Sequence, residues 1–485
     1  MPESAAPKRR RWPPFVAAAG VLAAAGALLG DQARSVASRL IASRQARNDR
    51  VVREELAFHV GTLAYVYGYP IVDMAQQMHN ETHRVAEDQR VYAPPNRMFS
   101  YGALVTPETQ GNLRLPNHDT LYFSGWYDVS QEPVILRVPD TGGRYYTIAI
   151  TNFYSEVEHV GRRTTGTAER EFALVPPGFT GALPAGVTPM PVETPRGWLL
   201  GRMFVSGEAD APAALALVEQ MWIARLSEYT PGREPAPAAE ASAPAIDGMD
   251  SLAYFELLNA TLHELPPRAG EASLMAQLDA IGIGPSTKLD LSRLDSETRR
   301  GLERALKAGA ALVGAASQRT QSALNGWIVP RAVGRYGFDY LARAVVVRNG
   351  YGNLPEESLY AAALLDSEEK LLTSGGRYRI RFEPGALPPV DAFWSLSVYD
   401  VRSFKLVENP IRRYSLGNLS RGLRFATDGS LTIALQADEP SEPDVNWLPT
   451  PRGALPFIAV MRMYEPRPEA LRGKYTLPPV VRIAD

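Results

Sequence analysis

The stretch LPNHDTLY, residues 115–122, leads from a proline through four polar residues into an aromatic, strand-like run. A second stretch of the same character, DAFWSLSVYD, lies at residues 391–400. In both, polar side chains stand inside a pattern that otherwise predicts a buried strand. Strand ends joined by loops are where β scaffolds present ligand or catalytic groups. The two stretches therefore predict a β-sheet protein with a functional site, and they do not identify a reaction.

Other strand-like runs surround these two stretches. Residues 134–138 and 145–150 flank the turn sequence DTGG, which predicts a β-hairpin, and residues 198–205 predict another strand. Further runs, several with the alternation of antiparallel sheets that bury one face, follow at residues 378–382, 392–399, 431–435 and 457–464. The sequence has no repeat of fixed period, so it leaves open whether the two β regions are distant structural copies.

Helical patterns lie before and between the β regions. Residues 44–77 place apolar side chains from Leu56 to Tyr67 on one stripe, which predicts a helix that Pro70 interrupts. Further helices are predicted at residues 211–228, 250–265, 272–282 and 295–325. Glycines in the last of these, Gly309 among them, predict close packing against another helix.

The length of 485 residues is too great for one ordinary domain. A stretch of Pro, Ala, Glu and Ser after residue 230 predicts a mobile linker. We therefore expect an α+β protein with two antiparallel β-sandwich domains bridged by a helical segment. The expected divisions are a signal segment at 1–30, an N-terminal β-rich domain at 31–230, the linker at 231–248, the helical bridge at 249–350 and a C-terminal β-sandwich at 351–485.

The N-terminus predicts export. A basic cluster at residues 8–11 precedes an uncharged apolar stretch at residues 15–29, which is the order of a secretory signal and is short for a full membrane span. The small-residue pattern at 25–27 lies inside the apolar stretch, which favours an uncleaved signal anchor over a cleaved peptide. Because the positive charge stays inside, we expect a periplasmic body tethered to the inner membrane.

The composition excludes several classes of protein. The chain has no cysteine, so disulfides, thiolate metal sites, a cysteine nucleophile and a lipoprotein anchor are excluded. Its net charge is −2 and its Lys and Arg residues are scattered, which is not the basic face of a nucleic-acid binder. The sequence also has no phosphate-binding glycine loop and no Gly-x-Ser-x-Gly nucleophile motif.

Asn117, His118 and Asp119 admit two interpretations. Asn, Asp and Thr side chains satisfy backbone groups in tight turns, so the motif fits a turn that leads into a strand. Alternatively, the amide of Asn117 and the carboxylate of Asp119 point into a cleft, with His118 as an acid or base near neutral pH.

Two other clusters carry polar groups. His79 and His83 have the helical spacing of metal ligands, but the glutamate between them does not follow the zinc-protease pattern, and we expect no metal site and no cofactor. Arg163 and Thr164, after Arg162, form a pair of arginines and a hydroxyl that could clamp a carboxylate or phosphate, or hold a loop. Trp447 and its neighbours fit either a sugar platform or a core.

The same motifs resemble a known pair of domains. Residues from about 67 to 203 resemble the domain of unknown function numbered 1254, on the motifs PNxDTLY at 116–122, EPV at 132–134, GRYY at 143–146, RTTG at 163–166 and LGR at 200–202. Residues from about 352 to 481 resemble its usual partner, the domain numbered 1214, on the motifs FWS at 393–395, NP at 409–410, RYS at 413–415, GSLTI at 429–433, NWLP at 446–449 and RMY at 462–464.

This resemblance implies two β-rich domains, the C-terminal one jelly-roll-like, and no assigned reaction. The family commonly has Asn where this chain has His118. The departure argues against an essential histidine at that position, and it shifts the expectation of catalysis to Asn117 and Asp119.

Three functions remain open. The first is an exported hydrolase or lyase for a small or oligomeric polar substrate, with Asp119 and Asn117 catalytic and with Tyr122, Arg163, Thr164 and His118 binding the substrate. The second is a non-catalytic binder of a small or carbohydrate-like ligand, and the third is a structural module of the cell envelope. We expect Asn117, Asp119, Tyr122 and Arg163 to line one pocket on the N-terminal β domain, near its contact with the C-terminal one.

Overall fold

The computed structural model describes residues 31–483 except residues 90, 111–112, 114, 266–267 and 319–322. The predicted signal segment at residues 1–30 lies outside the described residues. Within the described residues, no helix combines the length and the apolar character needed to cross a membrane. The described chain is an α+β fold with four β-sheets.

Helix α1, Asp31–Thr82, continues through Pro70 instead of being interrupted there. The residues on both sides of Pro70, among them Tyr69 and Ile71, are buried, so tertiary packing compensates for the missing backbone hydrogen bond. The remaining α-helices are α2 (Arg162–Thr165), α3 (Ala211–Val218), α4 (Ala253–Glu264), α5 (Ala272–Asp279), α6 (Ser296–Ser317), α7 (Tyr340–Asn349) and α8 (Pro468–Leu471). Short 3₁₀ turns lie at Glu208–Asp210, Leu226–Glu228 and Leu291–Arg293.

Helices α4, α6 and α7 pack against α1. Two glycines of α6 allow the close approach: a Cβ at Gly301 would lie 2.4 Å from the carbonyl oxygen of Glu54, and one at Gly309 would lie 2.5 Å from the Tyr65 ring. The close helix packing predicted for Gly309 is confirmed.

The N-terminal half contains strands β1 (Met98–Ser100), β2 (Thr120–Asp128), β3 (Val134–Val138), β4 (Tyr146–Asn152), β5 (Val157–Gly161), β6 (Arg170–Val175), β7 (Thr188–Pro191), β8 (Arg196–Phe204) and β9 (Trp222–Arg225). They form a five-stranded sheet of order β1-β2-β8-β4-β5 and a four-stranded sheet of order β7-β6-β3-β9. Buried side chains from both sheets, such as Leu121, Leu136 and Leu199, share one core.

The C-terminal half contains strands β10 (Trp327–Ile328), β11 (Ser358–Ala363), β12 (Arg377–Phe382), β13 (Trp394–Asp400), β14 (Ser415–Gly417), β15 (Leu431–Gln436), β16 (Val445–Pro449), β17 (Phe457–Tyr464) and β18 (Val481–Ile483). Their sheets have the orders β10-β11-β17-β13-β14 and β16-β15-β12-β18. These two sheets also enclose one core, with Leu359, Ile380 and Ile433 in it.

Two sequence predictions in the N-terminal half were wrong. The runs at 134–138 and 145–150 do not form a hairpin: β3 pairs with β6 and β9, whereas β4 pairs with β5 and β8. The turn between them carries the chain from one sheet to the other. The helix predicted at 211–228 ends at Val218, and Trp222 begins edge strand β9 because its side chain is buried against the four-stranded sheet.

The two halves have the same strand order, with each of β1 to β9 matched by the strand nine places later. Strand register aligns Tyr122 opposite Arg202 with Tyr360 opposite Arg462. This alignment places the sequence DTLY at 119–122 on ESLY at 357–360, and RMF at 202–204 on RMY at 462–464. The two β regions are therefore structural copies of one another, which sequence period alone did not establish.

Residues 231–248 contain neither helix nor strand, and most of their side chains are exposed. Hydrogen bonds nevertheless attach this segment to the end of α1: the Arg84 amide donates to the Ala241 carbonyl at 2.8 Å, and Asn80 Nδ2 donates to the Ile246 carbonyl at 3.1 Å. The linker is irregular and docked along α1.

Candidate functional site

Asn117 organises the turn that leads into β2. Its Oδ1 accepts hydrogen bonds from the backbone N of Asp119 at 3.2 Å, the backbone N of Thr120 at 3.1 Å and the Thr120 hydroxyl at 2.8 Å. Its Nδ2 donates to the Tyr464 hydroxyl of the C-terminal half at 2.7 Å. The side chain is buried and engaged at both ends, so it has the turn-forming role and also joins the two halves.

The carboxylate of Asp119 is bound by side chains of the C-terminal half. Its Oδ2 accepts a hydrogen bond from the Ser395 hydroxyl at 2.5 Å, and its Oδ1 accepts one from the Ser415 hydroxyl at 2.6 Å. Ser395 lies on β13 and Ser415 on β14. Both carboxylate oxygens therefore have a donor already.

His118 lies between these two buried residues and keeps partial exposure. Its Nδ1 is 2.6 Å from the carbonyl oxygen of Val105. A carbonyl only accepts, so Nδ1 carries the proton and Nε2 of the neutral ring is an acceptor. The imidazole also meets the Tyr414 ring edge-on, with centroids 4.9 Å apart.

A cleft of about 400 Å³ opens between the two halves beside His118 and Asp119. Its walls include the segment at 204–208, after the end of β8, and residues of the segment at 411–421, which contains β14. The charged and aromatic residues of the walls are His118, Asp119, Phe204, Glu208, Phe393, Trp394, Arg412, Arg413, Tyr414 and Arg421. Three guanidinium groups thus face two carboxylates, one of which is satisfied by serines.

Asn409 shapes the arginine-bearing wall. Its Oδ1 accepts from the backbone N of Arg413 at 3.0 Å, and its Nδ2 donates to the carbonyls of Val407 at 3.1 Å and Arg413 at 2.9 Å. Arg412, at the tip, has a φ of 51°. Arg413 donates to the carbonyl of Trp447 at 2.9 Å, which fixes its position, and burial followed by the nearby charge of Arg424 lowers its pKa.

Three of the predicted substrate-binding residues lie outside the walls of this cleft. Tyr122 is buried, and its hydroxyl accepts from the Asn117 backbone N at 3.1 Å. Arg163 Nε donates to the fully buried carboxylate of Glu357 at 2.8 Å. The Thr164 hydroxyl donates to the His159 carbonyl at 2.9 Å and so holds a loop. The cleft is therefore not the single pocket of Asn117, Asp119, Tyr122 and Arg163 that we expected.

Arg162 and Arg163 do clamp carboxylates, but those of their own chain. Arg162 binds Glu465 through Nε and Nη2, at 2.8 Å for the shortest contact, and Arg163 binds Glu357. Burial lowers the pKa of His159 to about 3, and the charges of Arg163 and Arg202 act in the same direction, so this imidazole is neutral. The pair closes the opposite side of the interface.

Sequence reasoning missed Ser395 and Ser415, the two serines that bind Asp119, and Glu357, which binds Arg163. The matching sequences DTLY and ESLY were a signal for the last of these, because they place Glu357 at the position of Asp119. Nothing in the local sequence indicated that the two serines meet a carboxylate of the other half.

The remaining candidate clusters are occupied by structural contacts. His79 Nε2 contacts the Pro244 carbonyl at 2.9 Å and His83 Nδ1 contacts the His79 carbonyl at 3.0 Å, with the rings stacked 4.5 Å apart. The Trp447 indole is buried and donates to the Gln436 carbonyl at 2.9 Å, so it belongs to the core and not to a sugar platform.

Residues 95–225 match the family described as Protein of unknown function (DUF1254), and residues 357–468 match Protein of unknown function (DUF1214). The chain combines these two domains. The predicted resemblance is confirmed, and the cleft lies at their contact: His118 and Asp119 belong to the DUF1254 domain, and Arg412, Arg413 and Ser415 belong to the DUF1214 domain.

The chain is similar to the VPA0106 protein from Vibrio parahaemolyticus, with 26% identity and a TM-score of 0.65 over 88% of this chain and 100% of that one. A crystal structure of an uncharacterized protein from Burkholderia cenocepacia aligns at 14% identity over 92% of this chain and 98% of that one, with a TM-score of 0.41. No curated protein matches the chain. Neither structure's description names an activity.

Proposed function

We propose that the cleft between the DUF1254 and DUF1214 domains binds a small organic acid and that the protein is a ligand-binding protein. The observation that supports this most is the excess of guanidinium groups in its walls. Arg412 and Arg421 are exposed and their guanidinium groups have no hydrogen-bond or ion-pair partner among the described residues, and Arg413 lies beside them. Guanidinium groups match carboxylates in geometry and charge.

The apolar part of the cleft selects for a ligand with a carbon skeleton. Phe204 is partly exposed and packs against the buried Phe393 with ring centroids 4.6 Å apart, and the buried Tyr414 ring meets His118 edge-on. Aromatic faces bind apolar surfaces and the faces of sugar rings. A carboxylate carried on a ring, such as an acidic sugar or an aromatic acid, fits this combination better than a bare ion does.

The occupancy of Asp119 argues for binding over catalysis. A general base needs a free oxygen within reach of the substrate proton. Both Asp119 oxygens accept serine hydroxyls, and Asn117 is hydrogen-bonded through both its amide oxygen and its amide nitrogen. Their predicted catalytic roles therefore have less support than a role in joining the domains.

An enzyme that uses His118 is the second candidate function. The carbonyl of Val105 fixes the Nδ1 proton, which leaves Nε2 as a base in a ring that lines the cleft beside Arg412 and Arg413. A hydrolase or lyase for an acidic substrate would use this nitrogen for proton transfer and the arginines for orientation.

The N-terminal features belong to the same proposal. The basic and apolar order of residues 1–30 supports an exported, periplasmic protein held at the inner membrane, which would place the cleft among small molecules of that compartment. We also propose that the C-terminal half is jelly-roll-like and that residues 231–248 divide the chain.

The test is calorimetric titration of matched ligand pairs. Galacturonate and benzoate should bind measurably, and their neutral partners galactose and benzyl alcohol should bind at least about tenfold more weakly, because an ion pair contributes about 1.4 kcal/mol or more in a partly enclosed site. R412A and R421A should each weaken binding of the acid by a similar factor.

R452A is the matched control, because Arg452 is exposed, pairs with Asp438 and lies outside the cleft. Equal binding of an acid and its neutral partner would contradict the proposal. So would equal binding of the acid by R412A, R421A and R452A. The enzyme candidate is tested on esters and glycosides of whichever acid binds: turnover that H118N abolishes while binding persists would favour it.

A further inference from the structure

Arg202 and Arg462 occupy equivalent positions at the centre of the two halves. Arg202 on β8 lies directly opposite Tyr122 on β2, and Arg462 on β17 lies directly opposite Tyr360 on β11. The structural duplication therefore places the same arginine–tyrosine pair twice in the molecule.

Both arginines face the same interior space. Side chains alternate along a strand, so Leu200 shares a face with Arg202 and Val460 shares a face with Arg462. Leu200 and Val460 belong to one hydrophobic core that the two halves share with α1. Tyr122, Tyr360 and Tyr464 act electrostatically on both guanidinium groups, so the two arginines lie in the same part of this interior.

Among the described residues, no carboxylate pairs with either guanidinium. Arg202 is 7% exposed and Arg462 is 2% exposed, and neither forms an ion pair with a carboxylate among the described residues. Arg202 Nη1 donates to Asn353 Oδ1 at 3.0 Å, and Arg462 Nη2 donates to the Leu115 carbonyl at 2.6 Å. Nη1 of Arg462 is buried and has no partner within the described part of the chain.

Three tyrosine hydroxyls around the arginines act only as acceptors. Asn117 donates to Tyr122 through its backbone N at 3.1 Å and to Tyr464 through Nδ2 at 2.7 Å. Asn353 Nδ2 donates to Tyr360 at 3.1 Å. Within the described residues no acceptor receives the proton of any of these three hydroxyls. The asparagines thus orient three further donors without using them.

A cluster of donors with two positive charges and no carboxylate among the described residues needs an anionic partner. Arginine stays protonated in proteins, and an uncompensated buried charge is strongly unfavourable. The rings of Tyr122 and Tyr399 lie 5.4 Å from the nearest guanidinium carbon and supply only part of the compensation. Tyr360, which lies opposite Arg462, keeps partial exposure.

We propose that Arg202 and Arg462 form a buried anion site, separate from the cleft, which holds one carboxylate, phosphate or sulfate group. The guanidinium groups supply the opposite charge, and the hydroxyls of Tyr122, Tyr360 and Tyr464 donate to the remaining oxygens. None of these residues lines the cleft of the proposed function.

The experiment has two parts. The full chain is denatured after exhaustive dialysis, and ion chromatography should find about one small anion per chain, whose identity separates phosphate and sulfate from an organic acid. In parallel, melting temperature is followed while the dialysed protein is titrated with phosphate or sulfate. At least one of these should raise it by several degrees at millimolar concentration.

The variants assign the effect to this site. R462M should abolish the anion-dependent rise, and Y360F, which removes one donor and no charge, should shift the titration midpoint at least threefold to higher concentration. Y378F is the control, because the Tyr378 hydroxyl accepts from the Thr373 backbone N in the separate core of the C-terminal half. R412A and R421A, which alter the cleft, should respond like the wild type.

Three results would overturn the proposal. The first is no retained anion together with no stabilisation by either phosphate or sulfate. The second is an equal response of wild type, Y360F and Y378F, which would locate the effect elsewhere even if R462M does not fold. The third is loss of the response in R412A and R421A, which would assign it to the cleft.

Discussion

Asp119 and Glu357 occupy equivalent positions, one residue before the matched strands β2 and β11. Each carboxylate is bound by donors of the other half. Asp119 accepts from two serine hydroxyls, and Glu357 accepts from Tyr145 at 2.8 Å and from Arg163. At this position a carboxylate is therefore an interdomain hydrogen-bond acceptor in both copies.

At Asp119 the two substitutions Asn and Ala should separate charge from hydrogen bonding. Asp119→Asn keeps one acceptor, and a serine hydroxyl can turn to accept from the new amide, so we expect a loss of about 1 kcal/mol of unfolding free energy. Asp119→Ala leaves both serine hydroxyls without their acceptor and should lower the unfolding free energy by about 2–3 kcal/mol.

Urea denaturation measures both variants, with Asp444→Asn, an exposed aspartate, as the control. If Asp119→Asn were as stable as the wild type but lost a measured activity, Asp119 would be a catalytic residue and not a group that joins the domains.

At the scale of the element, α1 carries a polar stripe towards the N-terminal sheet. Asp73, Gln77 and Glu81 follow each other at helical spacing. Asp73 Oδ2 accepts from Gln77 Nε2 at 2.5 Å and from the Tyr351 hydroxyl at 2.7 Å, and Glu81 Oε2 accepts from Trp126 Nε1 at 2.9 Å. The stripe thus supplies acceptors for the polar groups of two aromatic side chains, the Tyr351 hydroxyl and the Trp126 indole N–H.

Glu81 should make stability depend on pH. Burial raises its pKa from 4.5 to about 7, against the opposing effect of the Trp126 hydrogen bond. At pH values between 4.5 and about 7, the Glu81 carboxyl is ionised in the unfolded chain but protonated in the folded chain. Its contribution to stability is therefore fully present below about pH 4.5 and is lost as the pH rises to about 7.

Glu81→Gln removes this titration and should therefore exceed the wild type in melting temperature at pH 8 but match it near pH 4. Melting curves across that range provide the measurement, with Glu87→Gln, a change at an exposed residue, as the control. A constant difference between Glu81→Gln and wild type at every pH would rule out this titration.

At the scale of the molecule, the two sides of the domain interface have diverged. On one side Arg162 and Arg163 bind Glu465 and Glu357 across the interface. Strand register places Val205 at the position of Glu465, so the other side lacks that carboxylate and remains open as the cleft. The two equivalent sides of the interface are therefore one closed and one open.

Arg163→Met should destabilise the whole molecule, because it leaves the buried Glu357 carboxylate with Tyr145 alone. We expect a loss of about 2–4 kcal/mol of unfolding free energy, somewhat less than for a fully buried pair since Arg163 is partly exposed. The control Arg335→Met breaks the exposed pair of Arg335 with Glu158 and should change stability by less than about 0.5 kcal/mol.

Both halves should unfold in one transition, recorded by denaturation and by tryptophan fluorescence. Similar losses of unfolding free energy in Arg163→Met and Arg335→Met would show that the ion pair of Arg163 with Glu357 does not hold the halves together.

The sequence predicted individual elements where one periodicity dominates. The strands at 198–205, 378–382 and 457–464 and the helix at 250–265 are present, with ends shifted by a few residues. The hairpin at 134–150 was wrong because local turn chemistry cannot show which sheet the next strand joins. Pro70 was tolerated because burial of its neighbours outweighs one backbone hydrogen bond.

The sequence by itself determined that the chain is an α+β protein combining two domains of unknown function. It also determined that Asn117, His118 and Asp119 form a polar turn directly before a strand. Only the tertiary structure decided which groups these residues meet. Asp119 lies more than two hundred residues from Ser395 and Ser415 along the chain. Their contact, like that of Arg202 with the Tyr122 ring and of Arg462 with the Tyr399 ring, depends on strand register and on the packing of two sheets, and neither is encoded in local spacing.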